Sequence, residues 1–271
     1  MILPVDSRYI IVGDVHGCVD ELKTLIKKEG FEIDKDDLIS SPIEKSSIVL
    51  LGDFIDKASE AKLKETIEFI YLNHTHQNFY LILGNHEEMV YRYITKDPRL
   101  ITTPKTIRNK EMYYNTVDLL ERDLELKEKF LKIYSRCHVW LKYQHGEDFS
   151  VTLTHAPCLK EYLAKDDETS KKRMVKSASR SQNPKMPLDE LMPYIHREAE
   201  DNRHYHIFGH LSQPNIRKYK NRICIDTSAI YGKELSYAIV EKEQLSFDSV
   251  PFENRQKPAQ QSYNILFNFK D

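Results

Sequence analysis

Through the N-terminal third of the chain, short β-branched and aliphatic runs alternate with stretches in which apolar residues recur every three or four positions. That alternation predicts successive β-loop-α units. Tyr9 to Val12, Ile48 to Leu51 and Phe79 to Leu83 carry the strand pattern. The helical pattern follows each: Val19 to Lys28 with Leu22, Leu25 and Ile26 on one face, about Ala61 to Leu72 with Leu63, Ile67 and Ile70 or Tyr71, and Glu87 to Ile94. Between the first two units, Asp34 to Ser47 carries charges, Pro42 and serines and reads as a surface excursion.

Farther along, Leu119, Leu120, Leu124, Phe130, Leu131 and Ile133 predict a helical insertion over about residues 96–138 that caps the sheet. After a strand at Val151 to Leu153, residues 160–187 form the most polar part of the chain and read as a long loop or partly helical flap. A helix is expected near Leu188 to Ala199. The remainder turns to strands at His206 to Phe208, Ile216 to Tyr219, Arg222 to Ile225 and Ser236 to Val240, with a tight turn at Lys220-Asn221. A chain that starts as βαβ and ends in antiparallel strands is an α/β (α+β) fold, expected here as a two-layer mixed β-sandwich flanked by helices.

Composition narrows the function more than the fold. At 271 residues the chain is long enough for a substantial core, and one domain over residues 1–271 is favoured because its polar motifs span Asp14 to His210. A net charge of −2, from 40 basic and 42 acidic residues, gives no global reason to expect nucleic-acid or membrane binding. Four widely spaced cysteines, Cys18, Cys137, Cys158 and Cys224, form no C-x-x-C pair and read as reduced thiols. The N-terminal residues lack a basic, then apolar, leader pattern, and no run reaches the length of a membrane span. A cytoplasmic enzyme with no membrane partner is the expectation, while the oligomeric state is not legible.

The candidate chemistry lies where the strands end. Gly13-Asp14-Val15-His16-Gly17, Gly52-Asp53-Phe54-Ile55-Asp56, Gly84-Asn85-His86-Glu87, Thr154-His155-Ala156 and Gly209-His210 each follow an apolar run, so all five are expected on loops at strand ends. They deliver carboxylates, imidazoles and an amide, with neither Cys nor Ser. Such donors suit hard or borderline divalent metals, and two ions sharing a carboxylate would make a hydrolytic phosphoesterase centre. Asp14 and His16 are two apart, which puts both side chains on one side of an extended segment.

These motifs, in this order from Tyr9 to His210, resemble the calcineurin-like metallophosphoesterases, and within them the phosphoprotein phosphatase branch. Gly17-Cys18 followed by Asp20-Glu21-Leu22, Tyr91-Arg92-Tyr93, and Asn221 to Thr227 are similar to bacterial protein phosphatase and diadenosine tetraphosphatase-like proteins and to the phosphatase module of polynucleotide kinase-phosphatases. The resemblance implies two divalent ions, Mn²⁺ first with Fe or Zn²⁺ as alternatives, held by Asp14, His16, Asp53, Asn85, His155 and His210. Asp53 would bridge. It also implies His86 as general acid, oriented by Asp56, with Asn85 and Lys57 on the substrate. Asp226 matches a family position, and as a hairpin-exit carboxylate is equally expected to be structural.

Three departures concern substrate orientation. Lys57-Ala58 stands where the family has Arg-Gly, Leu83 replaces an Arg before the third motif, and Leu211-Ser212 replaces Thr-Pro. Lysine supplies a point charge where arginine grips two oxygens. Lys171, Lys172, Arg173, Lys176 and Arg180 are a local basic run, read as a solvated flap face from which a phosphate clamp could come. The leading expectation is hydrolysis of phosphomonoesters, as in phosphoserine or phosphothreonine proteins, by a metal-bound hydroxide. Dinucleoside polyphosphates, or RNA ends bearing 3′-phosphate or 2′,3′-cyclic phosphate, are the alternative partners, and a non-catalytic interaction module is the alternative of another class.

Overall fold

The structure of the chain, a computed structural model, describes residues 1–40, 45–97, 115–176 and 197–253. Its strands are β1 (Arg8–Val12), β2 (Glu32–Ile33), β3 (Ile39–Ser40), β4 (Ser46–Leu50), β5 (Phe79–Leu81), β6 (Trp140–His145), β7 (Phe149–Thr154), β8 (His204–Phe208), β9 (Arg217–Tyr219), β10 (Arg222–Cys224), β11 (Glu234–Glu241) and β12 (Gln244–Pro251). The helices are α1 (Val19–Lys28), α2 (Glu60–Asn73), α3 (Asn85–Ile94), α4 (Asn115–Arg122), α5 (Leu124–Arg136) and α6 (Glu168–Lys176).

Two five-stranded mixed sheets stack as the pattern predicts. One runs β12-β11-β1-β4-β5, with β1, β4 and β5 parallel and β11 antiparallel to both of its neighbours, β1 and β12; the other runs β6-β7-β8-β10-β9, with β7, β8 and β10 parallel. Side-chain alternation sorts the layers, because successive strand residues point to opposite faces. Tyr9, Ile11, Val49, Ala238 and Val240 face the second sheet and meet Leu141, Tyr143, Val151, Leu153, Ile207 and Ile223. Ile10, Val12, Ile48, Leu50 and Tyr237 face the other way and pack beneath Leu22, Leu25, Ile26, Leu63, Ile67 and Ile70 of α1 and α2. Strands buried on both faces explain why β1 and β4 read as continuous apolar runs instead of alternating ones.

Local signals set the helix ends. Ser59 Oγ accepts the Lys62 N–H at the start of α2, and Asp123 accepts the Leu126 N–H at the start of α5. Within the expected helical insertion, α4 and α5 bury Val117, Leu119, Leu120, Leu126, Phe130 and Ile133 in the helix-side core. Leu124, counted among the capping residues from sequence, is instead exposed on the first turn of α5. The surface excursion contains a short hairpin, β2 with β3, tied to α2 by Asn73, whose side chain bonds Ile39 and Asp37 backbone groups. Strands β6 and β12 were not expected from sequence. The flap carries a 3₁₀ turn at Lys160–Tyr162 and α6; its remainder, Arg180 and the helix expected near Leu188 to Ala199 lie largely outside the described residues. The Lys220-Asn221 turn joins β9 and β10 as a hairpin.

All four cysteines are free thiols. Among the described residues, no helix is long and apolar enough to cross a membrane.

Candidate metal centre

Parallel strands β1, β4, β5, β7 and β8 deliver the five motifs to one rim. Asp14 and His16 follow β1, Asp53 follows β4, Asn85 and His86 open α3 after β5, His155 follows β7 directly, and His210 follows β8. The sequence predicted six metal-holding residues. The structure brings donor atoms of His16, Asp53 and His86 within 4.8 Å of one another, and those of Asp53, His155 and His210 likewise. Asp53 is common to both trios.

Its two oxygens divide between them. Oδ1 lies 3.3 Å from His155 Nε2 and accepts the His86 N–H at the start of α3 at 3.1 Å; Oδ2 lies 3.6 Å from His16 Nε2 and 3.9 Å from His86 Nε2. A carboxylate spread in this way is disposed to bridge two ions. Burial works against its charge, but His155 and His86 hold the Asp53 carboxyl well below its usual range.

Each candidate imidazole is oriented by its other nitrogen. His16 Nδ1 donates to the Ile55 carbonyl at 2.7 Å and His155 Nδ1 to the Leu51 carbonyl at 2.8 Å, so both rings turn Nε2 inward. His155 Nε2 then meets Asn85 Oδ1 at 3.0 Å and Asp53 Oδ1 at 3.3 Å. With Nδ1–H committed to Leu51, Nε2 turns its lone pair toward the Asn85 amide and the Asp53 carboxylate. A nitrogen, an amide oxygen and a carboxylate oxygen that converge in this way fit a divalent ion. Burial opposes a charged His155, yet Asp53, with Asp14 and Glu87 behind it, pushes the imidazole up to about 10.

Asp14 holds the His210 backbone, accepting its N–H at 3.1 and 3.2 Å. Burial and the neighbouring Asp226 push the Asp14 carboxyl well above its usual range. Asp226, equivocal in sequence, is a buried member of the site: it accepts the Ser228 N–H at 3.1 Å, while burial raises its carboxyl against the pull of that bond and of Lys57. Three carboxylates in one buried rim are a demand for positive charge. Lys57 supplies some of it, its ammonium donating to His16 Nε2 at 2.8 Å. Burial disfavours that charge, but Tyr231, Asp53, Asp226 and Asp14 together hold Lys57 above its ordinary range.

The expected pair is present as well. His86 Nδ1 donates to Asp56 Oδ2 at 2.7 Å, and Asp56 is locked by Thr116, whose N–H it accepts at 3.0 Å and whose Oγ1 accepts the Asp56 N–H at 3.0 Å. Asn115 repeats the device one residue on, accepting the Lys57 N–H at 3.0 Å. Both partners come from the first turn of α4, a contact that nothing in the local sequence announces.

Glu87 is the member of the third motif whose role sequence reading missed. Its Oε2 accepts the N–H groups of Asp53 at 2.8 Å and Gly84 at 3.0 Å, and its Oε1 those of Phe54 at 3.0 Å and Ile55 at 3.3 Å. One carboxylate therefore fastens the second motif to the third. Burial, with the charge of Asp53 added, pushes Glu87 up to about 8, and the N–H groups pull it down. The donors decide the geometry, since a proton on either oxygen would point at another N–H. The signal was available: a Glu three residues into a helix commonly reaches back to its first backbone donor.

Backbone strain concentrates here. His16, Asp53, Asp56, Lys57 and His210 all have positive φ, between 41° and 67°, a conformation costly for residues with a Cβ and found where function over-determines the chain. At Gly52, φ is 92° and a Cβ would lie 2.6 Å from Gly84 N, so glycine permits the second and third motifs to touch.

Among the described residues, other histidines lie outside the cluster. His206 is buried, accepting from Arg222 at 2.8 Å on Nδ1 and donating to Thr154 Oγ1 at 2.8 Å. His74, His76 and His138 line a separate cleft with Phe79 and Arg136. The basic run is less solvated than sequence suggested: Lys176 is half-buried, 3.8 Å from Glu88, and burial lowers its ammonium below the ordinary lysine range.

Comparison with known proteins gives a consistent picture. The family described as Calcineurin-like phosphoesterase matches residues 7–214. The chain is 26% identical to the asymmetrical bis(5′-nucleosyl)-tetraphosphatase PrpE of Oceanobacillus iheyensis, covering 88% of this chain and 91% of that one. It is 25% identical to its counterpart from Bacillus subtilis, covering 92% and 99%. Among solved structures, a cold-active protein-tyrosine phosphatase of a psychrophilic Shewanella superposes with a TM-score of 0.55 at 18% identity, covering 92% of this chain and 83% of that one. A serine/threonine phosphatase from Saccharomyces cerevisiae superposes with a TM-score of 0.51 at 13% identity, covering 94% and 83%. At such identities the structural likeness speaks for the fold alone.

Proposed function

This chain belongs to the calcineurin-like phosphoesterase family, and from that premise we propose that it is a two-metal hydrolase of dinucleoside polyphosphates, cutting them asymmetrically. The observation that carries the chemistry is Asp53 between two donor trios with the His86-Asp56 pair beside it. The choice of substrate rests on the curated relatives, which align over nearly their whole length and are named for that activity. It places a nucleotide ahead of the phosphoprotein that the sequence motifs favoured, and of an RNA end. The interaction-module reading is set aside, because the family and these relatives are hydrolases.

We assign Asp14, His16 and Asp53 to the first ion, with the His86 ring close by, and Asp53, Asn85, His155 and His210 to the second. Mn²⁺ is the expected metal, with Fe and Zn²⁺ compatible with mixed oxygen and nitrogen donors lacking thiolate. When bound, such a pair of ions polarises a phosphoryl oxygen and lowers the pKa of a coordinated water.

The remaining work falls to the chain. His86 Nδ1 is committed to Asp56, which keeps Nε2 facing the reacting centre, where the ring can deliver a proton to the leaving oxygen. Lys57 donates toward phosphate oxygens from the His16 side. Glu87 keeps Asp53 in place through the backbone, and the strained φ values hold the donors converged before substrate arrives. We read the whole chain as one catalytic domain, since its site draws on residues from Asp14 to Asp226.

Turnover of diadenosine tetraphosphate, a phosphoserine peptide and an RNA 3′-phosphate by the Mn²⁺-loaded protein tests the proposal. Diadenosine tetraphosphate is expected to give the highest kcat/KM, with ATP and AMP as products. A higher kcat/KM on the phosphopeptide would return the protein to the phosphoprotein phosphatases.

A further inference from the structure

We propose that Tyr231 and Lys176 are the two outer ends of a track that receives a nucleoside and its phosphate chain, with the Asp53-centred donors between them. The inference rests on the reading of this site as a centre for dinucleoside polyphosphates.

At one end stands Lys57, whose ammonium lies against His16 of the first trio. The Tyr231 ring is 5.9 Å from that ammonium and 38% exposed. It is exposed by construction. Tyr231 ends the 3₁₀ turn Ala229–Tyr231, which sits between left-handed residues Ser228 (φ 65°) and Gly232 (φ 78°), and its neighbours Ala229 and Ile230 are buried in the helix-side core. The turn thus roots its first two residues and presents the third to solvent. A flat aromatic face beside a phosphate-directed lysine suits a nucleobase one short reach from its phosphates.

At the other end stands Lys176, the last residue of α6. The Ala156 N–H donates to the Met174 carbonyl at 2.8 Å, tying the final turn of α6 to the residue directly after His155 of the second trio. The Lys176 ammonium lies 3.2 Å from Met89 Sδ, a weak acceptor, and 3.8 Å from Glu88, a carboxylate already paired with Arg92. Its side chain is 37% exposed. The amine is therefore held near the rim by modest partners and keeps donors for an anion.

Lys57 lies against His16 of the first trio, while α6, which ends at Lys176, is tied to the residue after His155 of the second and sets its ammonium against Glu88 and Met89 of α3. One tetrahedral phosphoryl group can occupy the Asp53 donors together with Lys57. A linear polyphosphate continues past them toward Lys176, and its nucleoside then falls on Tyr231. A phosphopeptide has one phosphate and no base to stack, so it leaves Lys176 and Tyr231 without matched groups.

The experiment compares kcat/KM for diadenosine tetraphosphate with kcat/KM for 4-nitrophenyl phosphate in the Mn²⁺-loaded full chain. Lys176→Ala and Tyr231→Ala are each expected to lower the ratio of the first to the second about tenfold, chiefly through KM, from a lost charged contact or a lost stacking face. Lys176→Arg and Tyr231→Phe are expected to retain it, which separates contact with substrate from damage to the fold. An unchanged ratio in both alanine variants overturns the track, and so does a larger loss on a phosphopeptide than on the dinucleotide. If the wild-type protein hydrolyses 4-nitrophenyl phosphate and leaves diadenosine tetraphosphate intact, the substrate assignment itself falls, an outcome distinct from the variants' failure to discriminate.

Discussion

Replacing Glu87 by Gln tests whether one buried carboxylate holds the second and third motifs together. Each carboxylate oxygen accepts two backbone N–H groups, from Asp53 and Gly84 on one side and from Phe54 and Ile55 on the other. A glutamine keeps one oxygen and puts an NH₂ in place of the other. Whichever way the amide turns, two buried N–H groups face a donor. Leaving a buried donor unsatisfied costs about 1–3 kcal/mol, so the pair predicts a loss of about 2–6 kcal/mol. That is a large part of the roughly 5–15 kcal/mol that ordinarily separates folded from unfolded chains. Urea unfolding in the presence of a chelator, followed by circular dichroism, measures the loss without linkage to bound metal. The midpoint should fall while the denaturant slope stays unchanged. Because either orientation frees N–H groups of the second motif, that of Asp53 itself or those of Phe54 and Ile55 just after it, kcat for an aryl phosphate should fall alongside the midpoint. A variant with wild-type midpoint and wild-type kcat would show that the four N–H groups do not depend on this carboxylate, and the argument for Glu87 would be refuted.

Other expectations follow from the same geometry. Asp53→Asn removes the one carboxylate charge shared by the two trios and should abolish hydrolysis of an aryl phosphate while lowering metal content by elemental analysis; activity retained with metal unchanged would contradict the bridging role. Asp56→Asn leaves His86 without its carboxylate partner and should reduce kcat by about two orders of magnitude, the usual scale of proton-transfer catalysis. An unaltered kcat would remove His86 from that role. In metal-free protein, His155 has its proton held up to about 10 against an ordinary 6.5. Its contribution to stability is fully present below about pH 6.5 and lost as pH rises through about 10. Thermal unfolding of chelator-treated protein should therefore weaken across that interval, and added Mn²⁺, by competing with the proton, should restore the loss most at high pH. A flat profile without metal would contradict the convergence of acceptors on His155.

Legibility from sequence tracked the range of the interactions involved. Strands β1, β4 and β8 and helices α1 to α3 were readable because their apolar periodicity reports a face buried by the element itself. Strand β6 was missed since Trp140 to His145 sets polar, half-buried positions such as Lys142 and Gln144 among its buried ones, and pairs with β7 only in the sheet. Strand β12 is an edge strand with alternating exposed residues, and its pairing with β11 is what makes it a strand. The roles of Thr116 and Asn115 were illegible for a different reason. Each acts by two hydrogen bonds to a loop about sixty residues earlier, and a single Thr or Asn at a helix start carries no trace of those contacts.

What the sequence determined by itself was the inventory of donors, their order, and their delivery at strand ends, because backbone geometry ties an apolar run to the loop that leaves it. Tertiary structure alone decided that Asp53 turns one oxygen to each trio, that Asp226 joins the rim, and that Lys57 reaches His16 while Lys176 reaches Glu88. Those outcomes depend on distances between segments that only the stacking of two sheets brings together. No local preference encodes them.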